Sequence, residues 1–273
     1  MSDTFNFQRY WTYFKFYLKQ MWRNHAKAAV VIGGSIAILY VIWVLLSLVF
    51  TQEWTAPGSG ARVATFFVAY TVLVLYQTRT YGYLTDKRAG SSWLMIPASR
   101  TEKFVSMLLM TLIVIPVLFV VVFFLLDGLL SVVDPTYGKT FISAFAELWG
   151  DTLSGFSSFN SESPLIVPLS ALIIMTITGI FSGFLYWLLC GICFKKNKII
   201  GGIAISFGIS LALSLILGVI APALVKSGIN INTDEAEGLR ILAGILNGME
   251  IISVLVLIGL GWGIWRRIKT IQH

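Results

Sequence analysis

In a chain of 273 residues, 57% are hydrophobic and only 12% charged, with a mean hydropathy of +0.82. Soluble domains carry about a quarter charged residues, so composition excludes an ordinary soluble globular domain and points to a polytopic helical membrane protein. The net charge of +7 would suggest nucleic acid in a soluble protein. Here the cations flank apolar runs, where orientation and lipid phosphate account for them and nucleic acid does not.

The predicted fold class is all-α: six transmembrane helices preceded by an interfacial amphipathic helix. That first helix covers 5–26. Tyr10, Phe14, Tyr17, Leu18 and Met21 share one face, Lys15, Lys19 and Arg23 another, and Trp11 and Trp22 suit a headgroup layer. Its reach and the length of the first span argue against a cleavable signal peptide. The spans are expected at 28–50, 63–83, 104–130, 165–194, 199–225 and 241–265. Pro116 should kink the third, because it removes a hydrogen bond and crowds the preceding turn. A loop at 84–103 joins the second and third spans. A long acidic connection at 131–164 joins the third and fourth, with Phe141, Phe145, Leu148 and Phe156 suggesting a short helix on the outer surface. Counting Lys and Arg by side gives sixteen against four. The richer side holds both termini and the 84–103 loop, and the positive-inside rule makes it cytoplasmic.

The loop has internal order of its own. Ser99 and Glu102 have the spacing of a capping box, so the third helix should start near Arg100. Ahead of it, Trp93, Leu94, Met95 and Ile96 are apolar on a polar side and must pack on this chain or on another.

The run from Lys87 to Leu109, KRAGSSWLMIPASRTEKFVSMLL, resembles the stretch before the third helix in exporter-type permease subunits of bacterial ATP-binding cassette transporters. Those permeases often show a basic pair, a short apolar segment and Leu-Pro-Ala-Ser-x-x-Glu-Lys-Phe. Here Ile96 replaces the Leu, while Pro97, Ala98, Ser99, Glu102, Lys103 and Phe104 stand as in the pattern. The resemblance covers the whole chain in plan but about twenty residues in sequence. It implies a bacterial inner-membrane subunit that pairs with a second permease copy, identical or similar. It also implies an ATPase-coupling loop of Asp86, Lys87, Arg88, Trp93, Leu94, Met95, Pro97, Ser99, Arg100 and Glu102, and a segment between the last two spans that folds partly back into the membrane, which Pro222 would suit. ATP and Mg would belong to a cytoplasmic partner subunit. This chain has no G-x-x-x-x-G-K-[ST] stretch and would bind no cofactor itself.

Within the membrane, Glu250 is the acid that stands out, placed by 1.5 Å per residue near mid-bilayer. Asn247, Glu250 and Ser253 recur every three residues on one face. They would either line a substrate or proton path or hold helices together by hydrogen bonds. Gly179 with Gly183 and Gly244 with Gly248 are small-xxx-small pairs suited to close helix packing. Cys190 and Cys193 have redox spacing but sit in an apolar helix without metal or strand partners, so they read as packing. Two other classes compete with a permease. A membrane enzyme would need a catalytic constellation, and neither an HExxH motif nor a span histidine is present. A standalone secondary transporter or a sensor or scaffold protein would have to work through Glu250.

Overall fold

The computed structural model describes residues 5–23, 27–85, 90, 93, 95–147, 150, 169–226 and 235–270. The described residues are helices and short connections. We number the helices α1 (Phe7–Met21), α2 (Lys27–Gly33), α3 (Ser35–Phe50), α4 (Ser59–Gly82), α5 (Arg100–Val133), α6 (Leu169–Cys193), α7 (Lys198–Lys226) and α8 (Glu235–Thr270). Five candidate spans are long and apolar enough to cross a membrane, or six if α2 and α3 count as one bent span. This is compatible with a multi-pass membrane protein.

The chain divides into two compact units. The first comprises residues 1–80 and 91–152. Its core is aromatic: Phe66 of α4 packs against Phe119, Phe123 and Phe124 of α5 and against Phe141, with ring centroids 5.1–6.1 Å apart. Residues 141–147 form a short helix at the expected place, and Phe141 is buried. Phe145 stacks on it at 5.9 Å, half out of the core. Leu148 and Phe156 lie outside the described residues.

Two backbone features depart from the sequence expectation. A 43° bend falls in the first span, between α2 and α3. At Gly33 an added Cβ would meet Val122 Cβ at 3.0 Å and the Phe119 carbonyl at 3.2 Å. A larger residue would fit here only if α5 gave way by a few tenths of an ångström. Pro116 is taken up by a single π-turn, Met110–Val114, directly before it, in which the Ile115 N–H reaches back to the Met110 carbonyl. The extra residue per turn makes room for a ring that would otherwise strike the carbonyl four residues earlier. The candidate span continues from Arg100 to Val133.

The second unit comprises residues 81–90 and 153–273. Here α6 and α8 form the principal packed pair, burying Phe184, Leu188, Ile192, Ile264 and Ile268. A tight turn through Asn197, at φ 49°, joins α6 to α7. Gly202 of α7 lies so close to the Trp187 ring that a Cβ would fall 2.5 Å from it. Beyond this contact residues 203–215 of α7 are exposed on every side, including Ile203, Phe207 and Leu211, as a lipid-facing helix would be. It stays helical through Pro222 to Lys226, so the expected break at Pro222 is not formed there. α8 starts at Glu235, before the predicted boundary, and residues 227–234 lie outside the description.

Candidate functional site

One polar cluster lies in the first unit, where the starts of α1 and α5 meet. Asn6 caps α1, its side chain accepting from the Gln8 and Arg9 amides at 3.0 and 3.4 Å. Ser99 caps α5 with the predicted capping box: its hydroxyl accepts from the Glu102 amide at 3.2 Å, and the Glu102 carboxylate accepts from the Ser99 amide at 2.9 Å. That carboxylate, fully buried, does more than cap its own helix. It accepts from the Asn6 amide at 3.0 Å and from the Arg9 guanidinium through Nε at 2.9 Å and Nη2 at 2.7 Å. One anion therefore sits at two helix N-termini, where amide N–H groups and helix dipoles both favour negative charge. A fork-shaped guanidinium completes its shell. The hydrogen bond to Glu102 also raises the Arg9 pKa above its already high ordinary value.

The same clamp sets the preceding turn. Lys103 is buried; its ammonium donates to the Trp93 carbonyl at 2.9 Å and lies 4.8 Å from the centre of the Trp93 ring. Trp93 is thereby folded into this chain. Met95, Pro97 and Arg100 are exposed, Met95 most of all at 79%. Beside them lies an open groove of about 620 Å³, lined by Arg9, Thr12, Tyr13, Phe16, Ile96 and Pro97 among others. Asp86, Lys87, Arg88 and Leu94 lie outside the described residues. The apolar face of α1, with Tyr10, Tyr13, Phe14, Tyr17 and Met21, is buried, and α1 packs on the first turns of α5. That face meets protein, and Trp11, Phe16 and Trp22 are left on the outside.

A second polar cluster of this unit sits roughly 37 Å along α5 from Glu102, counting 1.5 Å per residue. The sequence reading passed over it. Asp127 accepts from Tyr137 Oη at 2.9 Å and the Phe141 amide at 2.5 Å, and pairs with Arg62 Nη1 at 3.5 Å. Arg62 also donates to the Lys139 carbonyl at 2.8 Å and lies over the Tyr137 ring at 4.5 Å. Both charges are buried. Arg62 therefore belongs to α4, which begins at Ser59 and not at 63. Burial and the nearby Asp127 push the Tyr137 hydroxyl well above the usual range, so it stays a donor. Next to it, Asp134 ends α5 and accepts from Tyr40 Oη at 2.7 Å, Trp54 Nε1 at 3.0 Å and both Thr136 donors. Burial alone would raise the Asp134 pKa; the hydrogen bonds outweigh it and hold the group at about 2. A spacing of seven between Asp127 and Asp134 in an apolar helix was the available signal.

In the second unit, the intramembrane triad is divided. Ser253 Oγ donates to the Glu250 carbonyl at 2.7 Å and accepts from Thr178 Oγ1 at 2.9 Å, which ties α8 to α6. Glu250 is half-buried and Asn247 exposed. A Cβ on Gly179, Gly244 or Gly248 would meet nothing within 4 Å, so those positions are not where this chain's own helices close up. Gly179 and Gly183 line an apolar groove of about 510 Å³ together with Cys190 and Cys193. Lys198, counted only as an orienting charge, donates to the Gly82 carbonyl and, at 2.9 Å, to Thr85 Oγ1, closing the end of α4. Among the described residues, no group of three or more His, Cys, Asp and Glu side chains is placed to hold a metal ion.

No protein-family model, curated protein or solved structure matches this chain.

Proposed function

We propose that the chain is the membrane-spanning permease subunit of an ATP-driven exporter, with both termini and the 84–103 loop on the cytoplasmic face of a bacterial inner membrane. A separate subunit would hydrolyse ATP, and a second permease copy or a similar chain would complete the pathway. The cargo would be a hydrophobic or amphipathic molecule. The observation that carries this reading is the Met95–Pro97 turn, exposed yet mounted on a rigid base. Glu102, Arg9, Ser99 and Asn6 lock the base to two helix starts, and Lys103 pins Trp93 behind it. A surface that transmits force needs exposed contact atoms on a part that cannot yield locally. The loop motif from Lys87 to Leu109 and the sixteen-to-four cation bias support the same reading.

Purification of the tagged chain from its native membrane in mild detergent, with mass spectrometry and an ATP-hydrolysis assay, tests it. A stoichiometric soluble ATPase should co-purify and be lost on Met95→Asp, a change at an exposed position that leaves the fold intact. Recovery of the chain alone, without hydrolysis, would refute the reading. A standalone carrier or scaffold centred on the half-buried Glu250 would then be favoured.

A further inference from the structure

The outer face of α1 is not accounted for by the clamp. Lys15, Leu18, Lys19 and Trp22 of that face line an open groove of about 700 Å³ with Ile113, Val114, Val117, Leu118 and Val121 of α5. The floor is apolar. Ile113, Val117 and Val121 follow one another at one-turn intervals, a trough of roughly 12 Å along a candidate span. The α1 wall is cationic. From Phe5 to Lys27 the chain holds Arg9, Lys15, Lys19, Arg23 and Lys27 and no acid. Lys15 and Lys19 are exposed one helical turn apart, and Lys15 lies 5.3 Å from the centre of the Trp11 ring.

We propose that this groove is a binding site for one anionic phospholipid. Its phosphate is held between Lys15 and Lys19, its acyl chain lies along Ile113, Val117 and Val121, and Trp22 sits at the boundary. The chemistry selects the occupant. The floor belongs to a span, which a soluble partner cannot reach. A second copy meeting this face through a two-fold axis would set lysines against lysines. A lipid with an apolar chain and a negative head matches both walls at once. Held there, it would mortar α1 to α5 beside the Arg9–Glu102 clamp. The site is independent of whether an ATPase is the partner.

Brominated phospholipids, which quench nearby tryptophan, test this on the full chain in mixed micelles. The quenching assigned to the site is the part lost in Trp22→Phe. Brominated phosphatidylglycerol should quench it at a concentration roughly twenty-five-fold lower than brominated phosphatidylcholine, about fivefold for each lysine. The preference should vanish in K15Q/K19Q and persist in K195Q/K196Q, which removes the cations of the α6–α7 turn. Val117→Phe, which fills the trough without adding a fluorophore, should weaken both lipids. The two lipids quenching alike in the wild type, or K15Q/K19Q keeping the preference, would overturn the proposal. Should K15Q/K19Q fail to fold, the wild type still decides. Its preference must shrink as salt rises to roughly 0.5 M, and a salt-independent preference refutes a lysine–phosphate contact.

Discussion

Asp127→Ala should be among the most damaging single changes in the first unit. The substitution removes the acceptor shared by Tyr137 Oη, the Phe141 amide and Arg62. Removing one partner of a buried pair costs about 3–5 kcal/mol in general. Arg62 keeps the Lys139 carbonyl at 2.8 Å and the Tyr137 ring at 4.5 Å, and its distance to Asp127 is a long 3.5 Å. Its share therefore falls near the low end. Two orphaned neutral donors add about 1 kcal/mol each. The expected loss is about 5 kcal/mol. Asp127→Asn, which keeps one acceptor oxygen and the shape, should lose about half of that. The double change Arg62→Met with Asp127→Leu should recover much of the loss, because no charge is left buried alone. Equilibrium unfolding of the purified chain in mixed micelles, followed by circular dichroism, measures all four proteins. A loss below about 1 kcal/mol for Asp127→Ala would refute the account. So would a double variant no better than the worse single one, since the cost would then not come from a charge left buried alone.

Arg9→Gln should uncouple the proposed complex, lowering ATP turnover about tenfold or more while helical content is retained; unchanged turnover in the assembled complex would show that the clamp is dispensable. Asp134 predicts acid sensitivity. Its folded pKa of about 2 lies below the ordinary carboxylate value near 3.9, so its stabilisation is complete above pH ~4 and is lost as pH falls from ~4 through ~2. The difference in stability between wild type and Asp134→Asn should shrink over that window, and a constant difference would contradict the assignment. Glu250→Gln should leave transport intact if the residue serves helix packing beside the Ser253–Thr178 contact, whereas a stably folded variant without transport would place an exchangeable proton there.

The helical class, the approximate positions of the spans and the start of α5 were legible from the amino-acid sequence, for local reasons. Apolar length specifies a span whatever it packs against. Ser99 and Glu102 lie within one turn, so their capping box could be read from spacing alone. The buried face of α1 followed from the periodicity of Tyr10, Phe14, Tyr17 and Met21, although what covers it did not. Tertiary structure decided everything that joins distant residues. Glu102 looked complete with Ser99, yet Arg9 and Asn6, more than 90 positions away, supply most of its shell. Arg62 and Asp127 looked like a boundary charge and an unremarked acid; they are a buried pair because the fold brings side chains of α4 and α5 together there. The glycines chosen by motif, Gly179, Gly244 and Gly248, stand in open space, while Gly33 and Gly202 make the close approaches. A motif records only that a residue is small, and whether smallness is needed depends on the neighbour across the groove. Trp93 makes the same point: its apolar ring on a polar loop called for a cover, and only the fold assigned that role to Lys103 of this same chain.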